Sequence, residues 1–134
     1  MAGIATYAQQ QMLNWMLGMT TTPTRPTGPL AVNLSLGAPS STSASEVATG
    51  SGITRQALTQ AAWAAGTMTN SAAMTFGPVS SGCTVSGISI WDTGAGGNTG
   101  IGNYLWYGLL STVRTLGVGD SLQIPTGGLT ITLS

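Results

Sequence analysis

The sequence predicts a mainly β protein, an antiparallel β-sandwich or jelly-roll-like domain with one N-terminal α-helix. Short segments with alternating apolar residues are separated by Gly- and Pro-rich turns, and helical spacing of apolar residues occurs near the start. Gly-rich connections favour antiparallel hairpins, because parallel strands need a crossover, usually a helix, between them. The 134 residues are enough for one domain with a buried core.

The chain is predicted to divide into three segments. An amphipathic helix occupies residues 1–19, and a Pro-rich connector occupies residues 20–29. The β-sandwich domain spans residues 30–134. Within it, the Ser-, Thr- and Gly-rich stretch at 37–52 is interpreted as a flexible arm.

The N-terminal helix is predicted over about 2–17, with Gly18 as its C-terminal stop. Two interpretations of its apolar face are open. The face packs on the domain's own sheet, or it docks on a partner through Met12, Trp15 and Met16. Met and Trp suit the second role, because Met adapts to irregular surfaces and Trp often anchors interfaces.

Seven segments of the β domain are strand candidates, each bounded by turn residues. Residues 57–65 are ambiguous, since their alanines also permit a helical turn. The candidates are Leu30–Leu36, Ile53–Thr59, Ala72–Phe76, Thr84–Asp92, Asn103–Leu110, Asp120–Ile124 and Leu129–Leu133.

Charge is scarce in this sequence. Only 4% of the residues are charged, whereas about 25% is ordinary for a soluble domain, and Lys and His do not occur. A neutral surface lacks the self-repulsion that keeps copies apart, so the composition favours a homo-oligomer or a larger assembly. Three scattered arginines argue against nucleic acid as a partner. No targeting segment or apolar run long enough for a membrane span is evident.

The residues needed for catalysis are largely missing. Without His or Lys, the chain has no imidazole base, His metal ligand or P-loop lysine, so we expect no enzyme, no cofactor and no metal site. Asp92 and Asp120 fall at strand ends and are expected to serve turns. The Gly-rich stretch 94–102 does not fit a phosphate-binding pattern and is interpreted as a hairpin connection. The lone Cys83 is expected to be a small buried hydrophobe.

Four aromatic residues lie on the two arms of that predicted hairpin: Trp91, Tyr104, Trp106 and Tyr107. Strict alternation places Tyr104 and Trp106 on one face and Tyr107 on the other. Three interpretations are open: core packing, an interface with a neighbour, or an exposed platform for carbohydrate. The four residues are therefore interface candidates together with those of the helix.

The order of these pieces resembles a family of small tailed-bacteriophage virion proteins, described as tail-fibre-like or capsid decoration proteins. The likeness rests on "LAVNLSLGAP", on "ITRQ" with Arg55, on "TNSAAMTFGPV" with Asn70, and on the closing "VGDSLQIPTGGLTITL". These motifs are structural rather than catalytic. The resemblance implies a component of the virion, made in the host cytoplasm.

Within that family, the leading hypothesis is a capsid decoration (cement) protein. It would bind the major capsid protein in many copies on the capsid exterior and stabilise the assembled shell by mass action. The alternative is a tail-fibre-like receptor- or glycan-binding module, which predicts exposed aromatic residues on the hairpin. A third hypothesis is a tail-tube or connector protein.

Overall fold

The protein is mainly β, with nine strands and one helix among the residues that the structure describes. The computed structural model describes residues 2–19, 29–47, 50–62, 64–93 and 101–132. In chain order the elements are β1 (Gly3–Ile4), α1 (Thr6–Met16), β2 (Ala31–Ser35), β3 (Gln56–Ala57), β4 (Thr67–Thr69), β5 (Met74–Phe76), β6 (Cys83–Trp91), β7 (Tyr104–Leu116), β8 (Leu122–Ile124) and β9 (Thr130–Thr132).

A five-stranded antiparallel sheet in the order β1-β7-β6-β2-β3 is the main layer. Two small antiparallel sheets, β4-β9 and β5-β8, pack against one face of it. Between them lies the apolar core, in which Val32, Leu34 and Ile90 of the main sheet meet Phe76 and Ile124 of the small ones. The sandwich-like antiparallel fold with an N-terminal helix is thus confirmed.

The other face of the main sheet is polar, and it is also buried. Asn33, Ser35 and Ser89 have no exposed surface. Within residues 36–47, Pro39 lies over this face at Gly87, and the segment then returns to the edge of β2, where the Val47 N–H donates a 3.0 Å hydrogen bond to the Leu34 carbonyl. The segment interpreted as a flexible arm therefore folds back onto the sheet over its described residues.

Gly87 permits this close covering. A Cβ atom at Gly87 would lie 2.8 Å from Cδ of Pro39 and 2.7 Å from the carbonyl oxygen of Gly108, which is closer than real Cβ contacts. The missing side chain therefore lets the 36–47 segment approach the sheet backbone. Pro39 is itself buried there.

Several element boundaries differ from the sequence prediction. The helix begins at Thr6 rather than near residue 2, because Gly3 and Ile4 pair with β7 as a strand. β7 continues to Leu116, beyond the predicted end at Leu110, while the 53–59 candidate pairs only at Gln56–Ala57. β4 was not predicted. The connector at 20–28 and the hairpin connection at 94–100 lie outside the described residues.

Candidate assembly surface

The apolar side chains of α1 lie on its outer side. Met12, Trp15 and Met16 are 37, 53 and 69% exposed, and Met19, just beyond the helix, is 72% exposed. The i, i+3, i+4 spacing of Met12, Trp15 and Met16 places these three on one face of the helix, and together with Met19 we call them the outer apolar face. No residue of α1 is buried. A large exposed apolar patch of this kind is typical of an interaction site.

The side of α1 that is partly covered by the domain carries mostly polar side chains. The N-terminus of the helix is fixed by two backbone hydrogen bonds of 2.8 Å, from Ala5 to Leu105 and from Thr6 to Ser41. The exposure of Met12, Trp15 and Met16 excludes the interpretation in which the apolar face packs on the domain's own sheet, whereas partner docking stays a prediction. The half-buried residues are Thr6, Tyr7, Ala8, Gln11 and Asn14.

The C-terminus of α1 has the predicted glycine stop. Gly18 adopts a left-handed φ of 70°, and its N–H donates to the Trp15 carbonyl at 3.2 Å. The next N–H, of Met19, donates to the Asn14 carbonyl at 2.8 Å, which completes a Schellman motif. The motif fixes the backbone of Met19 at the end of the helix, and its side chain is exposed there.

The hairpin aromatic residues are half-buried rather than exposed. Trp106 packs against the core, while Trp91, Tyr104 and Tyr107 form a row with ring centroids 5.3 and 6.2 Å apart. A register shift at Leu105 produces this row, because Tyr104 pairs with Trp91 while Trp106 pairs with Ile90. The prediction that Tyr104 shares a face with Trp106 is therefore wrong.

The polar ends of this aromatic row are used inside the protein. The Trp91 indole N–H donates to the Ser89 hydroxyl at 3.0 Å, and the Tyr104 hydroxyl donates to the Ser40 carbonyl at 3.0 Å. Burial raises the pKa of Tyr104 well above its usual value, and the neighbouring Tyr107 raises it further. The half-buried residues therefore do not form the exposed aromatic platform that the carbohydrate-binding interpretation requires.

A fully buried arginine lies under the aromatic row. The Arg55 guanidinium forms a two-point ion pair with Glu46, with N–O distances of 2.5 and 2.9 Å. Its Nη1 also donates to the carbonyls of Thr93 and Ile101, at 2.9 and 2.6 Å, and its Cζ lies 4.0 Å from the centroid of the Trp91 ring. Arg55 thereby joins both ends of the hairpin connection.

Two further side chains complete this polar cluster. The Asn33 amide donates to Glu46 at 2.7 Å, and the Asp92 carboxylate accepts two 2.7 Å hydrogen bonds from the backbone and side chain of Asn103. The Arg55–Glu46 pair was not predicted, because Arg55 lies in a strand candidate, Glu46 lies in the stretch interpreted as an arm, and no spacing rule joins them. The scarcity of charge was the one available signal, since a rare charge is seldom left without a partner when it is buried.

The remaining acidic and thiol groups serve the fold. Asp120 accepts a 2.8 Å hydrogen bond from the Gly117 N–H, so the turn roles predicted for both aspartates are confirmed. Cys83 is half-buried, and burial raises the pKa of its thiol. Across the described ranges, no three His, Cys, Asp or Glu residues lie close enough to share a metal ion. The described helix is too short to cross a membrane.

A family model described as "Podophage GP4 fiber I protein gp80" matches residues 3–132. The chain belongs to this family. It is a fibre-like structural protein of the tailed-phage virion, and the resemblance seen in its motifs is thereby confirmed. Among curated proteins, no sequence matches the chain.

Proposed function

We propose that this chain is a non-catalytic subunit of a virion fibre that is held in the particle through the outer apolar face of α1. The observation that carries the proposal is the orientation of that helix. Its polar side lies toward the domain, and its apolar side is left for a partner. The family description, which names a fibre protein, supports the same function.

The size of the apolar face suits a repeated structural contact. Full burial of one large apolar side chain contributes about 1.5–3 kcal/mol, and Met12, Trp15, Met16 and Met19 keep between one third and three quarters of their surface exposed. Covering the remaining surface would contribute about 1–1.5 kcal/mol per residue, or roughly 4–6 kcal/mol in total before ordering costs. A contact of this strength is weak alone and strong when many linked copies bind together.

The charge of the chain supports an assembly of many copies. Three arginines balance three acidic residues, and one pair, Arg55 with Glu46, is inside the domain. The outer apolar face itself contains no charged residue. Neighbouring copies would therefore meet with little electrostatic repulsion and without removing ions from water.

Capsid decoration is the second candidate function. It is favoured by the same neutral surface and by the exposed apolar side chains of α1, with the major capsid protein as the partner that would cover them. A tail-tube or connector role would instead require closed rings in solution. The receptor-binding alternative has less support, because the aromatic residues of the hairpin are engaged inside the domain.

Virions that carry the double variant Trp15→Ser, Met16→Ser test the proposal. We expect far fewer copies of the variant than of the wild-type chain per purified particle, measured by quantitative mass spectrometry. Val118→Ser is the matched control, because Val118 is 73% exposed and lies outside α1. Unchanged occupancy of the double variant would contradict attachment through α1. A cryo-EM map of the wild-type particle then separates fibre from capsid exterior.

A further inference from the structure

An apolar groove lies between the two layers of the sandwich, at the edge where β1 pairs with β7. Its volume is about 560 Å³, within the range of sites that hold a ligand or a few large side chains. None of the residues that line it is charged. Its apolar walls include Ile4, Ile88, Trp106, Leu109 and Ile131.

No residue of α1 lines this groove. Gly3 and Ile4 line it, and at Ala5, just before the helix, the backbone N–H bonds to the Leu105 carbonyl. The Thr6 N–H bonds to Ser41, within the segment that covers the polar face. Each copy of the chain therefore presents an apolar helix face and an apolar groove, and the two do not contact each other within one copy.

We propose that the groove receives the outer apolar face of α1 from a second copy of the chain. The proposal deepens the proposed function and rests on it, since it names the partner of the same helix face. Met12, Trp15 and Met16 have the i, i+3, i+4 spacing of helix-in-groove recognition. Both surfaces are apolar and uncharged, so their contact leaves no ion unpaired.

Pairing of sheet edges is a poorer means of joining copies. The edge strands of the main sheet, β1 and β3, contain two residues each, and short edges resist strand addition. β7 is also irregular: between Leu109 and Arg114 it advances five residues, while β6 advances only two, from Gly87 to Val85. Such a bulge interrupts the regular edge that a second strand would need.

The proposed contact has a direct consequence for assembly. A helix that binds a groove on the next copy makes a head-to-tail interface, because the two surfaces are different. Head-to-tail contacts generate a ring when the rotation between neighbouring copies closes on itself, and an open filament when it does not. The same contact repeated along an axis would assemble copies of the chain into a fibre.

Sedimentation velocity on full-length variants tests this proposal. Met16→Glu disables the helix face and Leu109→Asp disables the groove, and both positions are exposed enough to tolerate a charge. We expect wild type to associate with rising concentration. Each variant alone should need at least about tenfold higher concentration for the same degree of association. Val118→Asp is the matched control and should behave as wild type.

Mixing the two variants gives the decisive result. The intact helix of Leu109→Asp can bind the intact groove of Met16→Glu, and both remaining surfaces are disabled. The mixture should therefore form a 1:1 dimer and nothing larger. If Leu109→Asp alone associates as wild type does, the helix binds elsewhere, and the proposal is overturned while attachment through α1 stands. A wild-type chain that stays monomeric up to about millimolar concentration also overturns it.

A photo-crosslinking amino acid at position 16 gives an independent measurement should either charged variant fail to fold by circular dichroism. Cross-linked peptides from 106–111 or 128–132 of another copy support the groove. Cross-links to another α1, or none between copies, contradict it. Particle occupancy of the Trp15 and Met16 double variant separately reports on the proposed function.

Discussion

Replacement of Arg55 by Met is expected to remove a large part of the stability of the fold. The substitution keeps an unbranched side chain but removes the charge that pairs with Glu46, and also the donors to the Thr93 and Ile101 carbonyls. Because Arg55 has no exposed surface, water cannot replace these contacts without opening the domain. The Trp91 ring loses its cationic neighbour at the same time.

The expected magnitude follows from these contacts. Breaking a buried ion pair by removing one partner costs about 3–5 kcal/mol, because the other charge is left without compensation. A carbonyl deprived of its donor in a buried site costs about 1–3 kcal/mol more. We therefore expect Arg55→Met to cost about 5 kcal/mol or more, against a total stability of about 5–15 kcal/mol for a domain.

Glu46→Gln is a milder perturbation of the same pair. The amide keeps one acceptor oxygen, Arg55 keeps its two carbonyl partners, and the Glu46 side chain is 11% exposed. These features place the expected loss in free energy of unfolding near the lower limit for breaking a buried pair, about 3 kcal/mol. Arg114→Met serves as the control for both, because Arg114 is exposed and should change stability by no more than about 0.5 kcal/mol.

Urea unfolding followed by circular dichroism measures all three variants. With a slope of about 1–3 kcal/mol per molar urea, Glu46→Gln should lower the midpoint by about 1–3 M. Arg55→Met, with a loss of about 5 kcal/mol or more, should lower the midpoint by at least about 2–5 M. Midpoint shifts below about 0.5 M for both variants would refute the assignment of the cluster as a principal stabilising element.

Two further predictions concern the segment that covers the polar face. Gly87→Ala should destabilise the domain by about 1–3 kcal/mol in thermal unfolding, because the new methyl group would displace Pro39. Gly108→Ala should be tolerated, because its Cβ would meet only contacts of 3.7 Å or longer. Equal losses of stability in the two variants would contradict this account. The raised pKa of Tyr104 means that the folded state favours the neutral phenol, so its contribution to stability is present below about pH 10 and is lost as the pH rises above that value. Tyr104→Phe should weaken this alkaline destabilisation, and it should also cost about 0.5–1.5 kcal/mol at neutral pH through the lost bond to Ser40. An unchanged alkaline profile in the variant would show that another group is responsible.

Local patterns in the sequence predicted much of the fold. The alternation of Leu30–Leu36 predicted β2, and the two arms around the Gly-rich stretch predicted the β6–β7 hairpin. Gly18 was identified as the helix stop from its position alone. These features depend on neighbours in the chain, which is why periodicity and turn chemistry could find them.

The candidate site was only partly accessible from the sequence. Helical spacing grouped Met12, Trp15 and Met16 on one face, but it could not say whether that face is turned inward or outward. The orientation depends on the hydrogen bonds from Ala5 and Thr6 to segments that are distant in the sequence.

By itself, the sequence determined a neutral β-rich chain with one amphipathic helix, without the side chains that most catalysis requires. Only the tertiary structure decided which apolar residues form the core and which remain for a partner. The pairing of Arg55 with Glu46 and the row of Trp91, Tyr104 and Tyr107 also arise at that level. The physical reason is that burial and ion pairing depend on segments brought together by folding, whereas a sequence pattern reports only on residues that are close along the chain.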